Sequence, residues 1–347
     1  MGQSNTKTVK VGIVGCGGVA QIIHLPVLTK LENVEVTAIC DIDSRKTSIL
    51  ADRYNISNTF DDIVEMFDKC EMDAAFILTP NNLHLPMSLV ALKKGVHIFI
   101  EKPAGRNSQE TGRIAAAARQ HGREVMVGMH SRFRSDIREI KKTVERSDLG
   151  EIFFVKAEWL QTRTHSIKQP WLLSKRIAGG GVLLDLGIQL IDTGWWLTNR
   201  PQLKSVKAFS HQINTDLEVE DFCSFYLKFS NNIEMTGHVS WNFPIRDDRF
   251  FAEIFGTSGT GSLNPFKVEK LSKGKTVDIT PPGYRHRTRN IFKMAYENEV
   301  MHFVDFLSGK EKKLESSIDD ALEVLKMTDA IYESLRTNRE ITIGNDK

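Results

Sequence analysis

An apolar stretch, Val9-Lys10-Val11-Gly12-Ile13-Val14, runs directly into Gly15-Cys16-Gly17-Gly18-Val19-Ala20, and this junction limits the possible folds more than any other part of the chain. It reads as a strand, a tight glycine turn and a helix, in that order. Gly15 permits the turn, Gly17 leaves the backbone bare where a pyrophosphate can approach, and Ala20 keeps the helix close to the strand. The helix N-terminus adds free N–H groups and the positive end of a dipole. Alone, such a segment also suits an ordinary glycine-rich turn, so its context matters. Asp41 ends the next apolar stretch about 20 residues on, where a carboxylate accepts both ribose hydroxyls of a dinucleotide. That carboxylate repels a 2′-phosphate, and Arg45 nearby offsets only part of the repulsion, so NAD is expected over NADP. Gly15, Cys16, Gly17, Gly18, Val19, Asp41 and Arg45 form the expected cofactor-binding set here, while Asp43 reads as a helix cap.

The pattern continues to Met129. Strands are expected over 34–40, 74–78, 96–100 and 124–127. Helices are expected over 19–31, 43–54, 85–94 and 108–120, the last with a weak cap at Ser108. Strands separated by helices imply a parallel, doubly wound sheet. After Gly150, β-rich stretches follow one another at 152–160, 203–210, 222–229, 233–241 and 249–255, with Ser230-Asn231-Asn232 as a hairpin turn. Strands in succession imply an antiparallel sheet, interrupted by one helix over 182–197 and followed by helices over 297–307 and 318–336. The expected fold is α/β: a Rossmann domain over 1–129, then an α+β domain with a large open antiparallel sheet over 130–347.

Charge excludes several partners. Lys and Arg number 46 against 44 Asp and Glu, so nothing in the balance suits nucleic acid or an anionic membrane. Cys16, Cys40, Cys70 and Cys223 are too dispersed for a zinc site or a disulfide framework, which points to a reducing cytoplasm and to no metal.

Glu101-Lys102-Pro103 follows the strand at 96–100, at the carboxyl end of a sheet strand where ligands bind in open α/β folds. Together with the glycine turn, it joins a series of further segments in the same order. These are Thr79-Pro80-Asn81-Asn82-Leu83-His84, Arg132-Phe133, Gly179-Gly180-Gly181-Val182-Leu183-Leu184-Asp185, Phe255-Gly256-Thr257-Ser258-Gly259 and the terminal Tyr332-Glu333-Ser334. Along almost its whole length the chain resembles the Gfo/Idh/MocA oxidoreductases. The resemblance implies hydride transfer between nicotinamide and a sugar, a polyol or a derivative. It also implies a homodimer or homotetramer formed through the antiparallel sheet. Thr79, Pro80, Asn81, His84, Glu101 and Lys102 would line the dinucleotide site, although His84 equally suits a packing or capping role. Lys102 would hydrogen-bond the reacting hydroxyl or carbonyl and stabilise developing negative charge.

The chain departs from the family at one place. Many family dehydrogenases carry Asp-x-x-x-His after the triple glycine, a spacing that lets the carboxylate orient a proton-carrying imidazole. Here the pair is Asp185 and Gln189, and an amide takes up no proton near neutral pH. Three readings follow. Another group moves the proton: Lys102 first, with His165, His238 and Tyr284 less constrained. Alternatively, transient oxidation supports a redox-neutral lyase or glycoside hydrolase, or the protein is a non-catalytic sensor of NAD and a ligand. Lys102 and Asp185 are the expected catalytic pair, though Asp185 equally suits its helix N-terminus. Gln189, His165 and Trp171 are the expected substrate-binding residues, the last two from a polar and aromatic segment over 161–176. Trp195-Trp196 reads as packing.

Overall fold

Six parallel strands make the first sheet: β1 (Val9–Val14), β2 (Val34–Cys40), β3 (Asn58–Phe60), β4 (Ala74–Ile77), β5 (His97–Glu101) and β6 (Val125–Gly128). Their order is β3-β2-β1-β4-β5-β6, so the chain reverses direction of travel between β1 and β4 and opens a crevice beyond their carboxyl ends. β1, β4 and β5 are almost wholly buried, as expected of strands covered on both faces. The computed structural model describes residues 8–162, 170–284 and 290–344.

Several helices differ from expectation. The helix after the glycine turn is short, one wide π-type turn over Ala20–His24 continuing into Leu25–Leu28. The next is Ser44–Tyr54, and Asp43 caps it by accepting from the Arg45 and Lys46 N–H groups. The helix expected from residue 85 starts at Asn81, with Pro86 inside it. Helix Ser108–His121 is capped by Asn107, not Ser108: Asn107 Oδ1 accepts from the Glu110 N–H at 2.9 Å. The chain divides into two compact units, and the first takes in Phe292–Leu322 as well as the stretch ending at His130. A single cut at 129/130 left that segment to the second domain. Its aromatic content explains the difference: Phe303, on helix Ile291–Leu307, meets the rings of Phe76 and Phe99 at 5.6 and 5.8 Å.

The second unit carries a nine-stranded sheet. Its strands are β7 (Ile152–Leu160), β8 (Leu203–His211), β9 (Phe222–Phe229), β10 (Glu234–Ser240), β11 (Arg249–Gly256), β12 (Gly259–Leu263), β13 (Lys267–Ser272), β14 (Lys275–Asp278) and β15 (Ile341–Thr342). The order is β14-β13-β12-β11-β7-β10-β9-β8-β15. Pairing is antiparallel except between β7 and β10, which run parallel, so the sheet is mixed. Asn231 and Asn232 turn the β9–β10 hairpin with positive φ, the conformation their side chains tolerate best. One face, with Val155, Ala157, Met235 and Val239, packs against helix Ile188–Leu197, whose ten residues are all buried.

Candidate active site

The glycine turn is fixed from both sides. Gly15 has a φ of +95°, and a Cβ there would lie 2.9 Å from the Leu78 carbonyl and from Thr79 Cγ2, so the protein itself requires glycine. Gly17 and Gly18 differ, because a Cβ at either would meet no atom within 4 Å. Their bareness serves nothing in the chain's own packing, and it suits backbone left open to a pyrophosphate. Replacing Gly17 with alanine is therefore expected to leave the melting temperature unchanged and to weaken NAD binding by about tenfold or more. Calorimetric titration alongside thermal melting checks both halves. A drop in melting temperature with unchanged affinity would contradict this account.

Asp41 holds the other side of the turn. Its Oδ2 accepts from the Cys16 N–H at 2.6 Å and its Oδ1 from the Asp43 N–H at 2.9 Å. The carboxylate is half-exposed, so lone pairs remain for a ribose, and Arg45 is exposed on the first turn of the following helix. Burial, with the Asp41 charge adding to it, pushes the Cys16 thiol up to about 12, so Cys16 offers its backbone and not a thiolate. Thr79 Oγ1, beyond β4, is buried with no hydrogen-bond partner among the described residues, a group that a bound dinucleotide can satisfy. Pro80 stands at the N-cap position of the following helix without a side-chain capping bond, and Asn81 begins that helix. The donors, the bare backbone and the unsatisfied hydroxyl all fit NAD.

Two residues expected to line this site have protein partners of their own. His84 has no exposed surface, and its ring nitrogens lie 2.7 Å from the Pro103 carbonyl and 2.8 Å from the Thr79 carbonyl. Burial pulls its pKa down while the two carbonyls push it up, and the ring stands between the loops that follow β4 and β5. Glu101 is 9% exposed and turned inward, with Oε1 2.8 Å from His24 Nε2. Burial alone would raise the Glu101 carboxyl, but the His24 bond and the charges of His24 and Lys102 hold it below the usual range. Its Oε2 accepts from the Lys102 N–H at 3.3 Å. Lys102 itself is half-exposed at the end of β5, joined to Pro103 by a cis peptide.

His24 was not singled out from the sequence. It lies on the helix that the glycine turn opens, fully enclosed, with Phe76 and Phe99 at ring distances of 5.6 and 5.2 Å. The only signal was its place nine residues after Gly15 on a buried helix face, which a packing histidine shares.

In the second unit, Asp185 sits in a wide π-type turn, Leu183–Gly187, a local irregularity often found at working sites. Its Oδ2 accepts from Trp241 Nε1 at 3.0 Å, and Trp241 is 1% exposed. Capping falls to another residue: the Glu220 carboxylate accepts from the Gly181 N–H at 3.0 Å, the Leu183 N–H at 3.1 Å and the Tyr332 hydroxyl at 2.9 Å. Burial raises the Glu220 pKa despite these donors and, with Glu220 itself, pushes Tyr332 well above its ordinary value. Gln189 is buried at 1% exposure, and Trp171 is half-buried on the turn Pro170–Leu173. His165 lies outside the described residues. His238 bonds Ser224 Oγ at 2.9 Å across two strands, and the Tyr284 hydroxyl donates to the Ser135 carbonyl at 3.2 Å, so both have local structural partners. Trp195 and Trp196 are buried, and Trp195 Nε1 donates to the Pro201 carbonyl at 3.0 Å, as packing residues do.

All four cysteines are free, and no group of three potential ligands among the described residues is placed to hold a metal. No described helix is long and apolar enough to cross a membrane.

Known proteins share both halves of this arrangement. Residues 9–129 match the model of an oxidoreductase family with an NAD-binding Rossmann fold, and residues 137–262 match the C-terminal domain of the same family. A D-glucoside 3-dehydrogenase of Escherichia coli (strain K12) is 24% identical over 96% of this chain and 97% of its own length. The scyllo-inositol 2-dehydrogenase (NADP(+)) IolU of Bacillus subtilis (strain 168) is 26% identical over 91% of this chain and 93% of its own. The crystal structure of the WlbA dehydrogenase of Bordetella pertussis, in complex with NADH and UDP-GlcNAcA, superposes with a TM-score of 0.87. It is 20% identical and covers 98% of this chain and 99% of that one. The glycine turn with its Asp41 anchor, the braced Lys102 and the matches to both family domains lead to one assignment: the chain belongs to the Gfo/Idh/MocA oxidoreductases and binds NAD through its N-terminal Rossmann domain.

Proposed function

We propose that the protein oxidises a secondary hydroxyl of a neutral sugar or polyol with NAD, or reduces the matching carbonyl with NADH. The observation that carries the reading is Lys102 at the carboxyl end of β5, its backbone held through Glu101 by the buried His24. NAD, when bound, supplies the hydride acceptor. Gly17 and Gly18 leave room for its pyrophosphate, Asp41 takes the ribose hydroxyls, and Thr79 offers a hydroxyl. Lys102 Nζ hydrogen-bonds the reacting oxygen: as an amine it would take the hydroxyl proton while hydride leaves for NAD, and as an ammonium it would return that proton and stabilise the oxygen's charge in the reducing direction, the task a histidine has in many relatives. Asp185, positioned by Trp241, accepts from the substrate, and Gln189 serves as a hydrogen-bonding residue. Asp41 favours NAD over NADP. The sheet face away from the buried helix carries half-buried Tyr226, His238, Phe251 and Glu253, a mixture suited to pairing two copies. A reducing cytoplasm suits the free thiols.

The test titrates NAD and NADP separately, then follows the NADH absorbance band with sugars, inositols and glycosides. Net NADH formed by a polyol, with NADP at least about tenfold weaker, is the expected result. Substrate consumed without net NADH would replace this reading with a redox-neutral lyase or hydrolase, and failure to bind either dinucleotide would end it. Gln189→His provides a sharper check, since it restores an imidazole four residues after Asp185. We expect a kcat gain of up to about tenfold and a new limb near pH 6.5 in the kcat/KM profile. An unchanged profile would show that position 189 does not reach the proton path.

A further inference from the structure

We infer that Tyr332, on the C-terminal helix Ile318–Thr337, is a positioning residue for Asp185 and acts on it through Glu220. This rests on the dehydrogenase reading above, in which Asp185 meets the substrate. It goes further by giving a task to two segments which that reading leaves without one, the triple glycine and Tyr332-Glu333-Ser334. Glu220, two residues before β9, binds three successive N–H groups of the turn. Its carbonyl accepts from Val182 at 2.9 Å, and its carboxylate accepts from Gly181 at 3.0 Å and Leu183 at 3.1 Å. Such donors are the ones a helix start leaves unpaired. The Asp185 N–H in turn donates to the Gly181 carbonyl at 3.1 Å, so Asp185 hangs from a residue that Glu220 holds. The next residue supports its side chain: the Asp221 carbonyl accepts from the Trp241 N–H at 2.9 Å, and the Trp241 indole bonds Asp185.

Tyr332 fixes the carboxylate that does this. Its hydroxyl donates at 2.9 Å to Glu220 Oε1, the same oxygen that takes the Gly181 and Leu183 N–H groups. Ser334 pins the helix to the sheet: its Oγ accepts from the Ala208 N–H at 3.0 Å and donates to the Arg339 carbonyl at 2.6 Å. The glycines are shaped to this contact. Gly179 turns with a φ of +93°, a Cβ on Gly180 would overlap the Tyr332 hydroxyl, and one on Gly181 would overlap Glu220. Accepting from three donors at once requires an ionised Glu220. Burial raises its carboxyl, and the Tyr332 bond opposes that rise. The ionisable groups around it are Tyr332 on the helix, Asp221 and Cys223 along its own chain, and Asp185 on the turn. Burial pushes both Tyr332 and Cys223 upward, so neither changes charge near neutral pH.

The experiment compares the full-length wild type with Tyr332→Phe and Glu220→Gln by thermal melting, calorimetric NAD affinity and the pH profile of kcat for NADH formation from myo-inositol or methyl glucoside. Tyr332→Phe removes one hydroxyl and keeps the ring. It is expected to lower kcat by about tenfold with NAD affinity unchanged, since Asp185 is displaced and the cofactor site is not. The acid limb of the kcat profile should also move up by about one pH unit, because a donor that favoured the carboxylate is gone. Glu220→Gln should lose that limb, as an amide does not titrate, and it tests the inference alone if the tyrosine variant fails to fold. A lowered melting temperature with wild-type kcat and an unmoved limb would make Tyr332 a residue of the fold only, which overturns the inference and spares the dehydrogenase reading. If the wild type forms no NADH from any polyol, that reading fails first and takes the inference with it.

Discussion

Lys102→Ala is expected to lower kcat/KM by about a thousandfold while leaving NAD affinity within about threefold of wild type. The asymmetry follows from how the residue is held. Its backbone N–H bonds Glu101 Oε2, and Glu101 is anchored on His24, so truncating the half-exposed side chain disturbs neither brace. The glycine turn and Asp41 are untouched, which preserves cofactor binding. What disappears is a charged donor aimed at an oxygen that becomes more negative along the reaction, a contribution made in the transition state. Lys102→Arg is expected to recover little, because a rigid planar fork does not place one donor where a flexible ammonium does. Stopped-flow NADH formation with calorimetric NAD affinity decides the matter. Residual activity within tenfold of wild type would move the proton to another group and displace Lys102 from the mechanism.

How far the sequence reached depended on whether burial left a pattern. The parallel sheet was legible because β1, β4 and β5 are short apolar runs set apart by helices, and the Asn231-Asn232 turn was legible from the tolerance of asparagine for positive φ. β13 and β14 were not, since Lys267–Ser272 and Lys275–Asp278 are largely exposed and carry no apolar face to detect. Helix Ser135–Glu145 did carry its signal. Ile137, Ile140 and Val144 repeat at helical spacing and are buried, but they were not read. The π-type turn at Asp185 and the parallel β7–β10 pair are tertiary choices that no local spacing encodes.

The site was legible in its types and less so in its geometry. Glycines, Asp41 and Lys102 stand where the motif placed them. His84 and Glu101, expected as cofactor contacts, also have partners that no local spacing shows: His84 lies between the Thr79 and Pro103 carbonyls, and Glu101 meets His24 and the Lys102 N–H. A side chain's direction depends on partners far off in sequence, 77 residues away for Glu101 and His24. The same distance hid Glu220, which reaches back 39 residues to the triple glycine.

That last contact supports the second large prediction. Gly181→Ala is expected to destabilise the protein by about 3–5 kcal/mol, enough to lower the melting temperature by roughly 10 °C. Gly181 needs no unusual φ; the reason is proximity. A Cβ there would lie 2.0 Å from the Glu220 carbonyl oxygen, well inside contact distance. That oxygen accepts the Val182 N–H at 2.9 Å, while the Glu220 carboxylate accepts from Gly181 and Leu183, so the backbone cannot retreat without breaking bonds on both sides. Overpacking of about 1–3 kcal/mol and the loss of a charge-assisted hydrogen bond worth about 1.5–3 kcal/mol make up the total. Because Glu220 caps the turn that carries Asp185, the variant should also lose kcat while its NAD affinity, set in the other unit, stays unchanged. Urea denaturation with kinetics at a temperature where the variant is folded separates the two effects. A melting temperature within 2 °C of wild type, roughly the effect of 1 kcal/mol or less, would mean that the cap yields easily and that close packing against Glu220 does not require glycine at position 181.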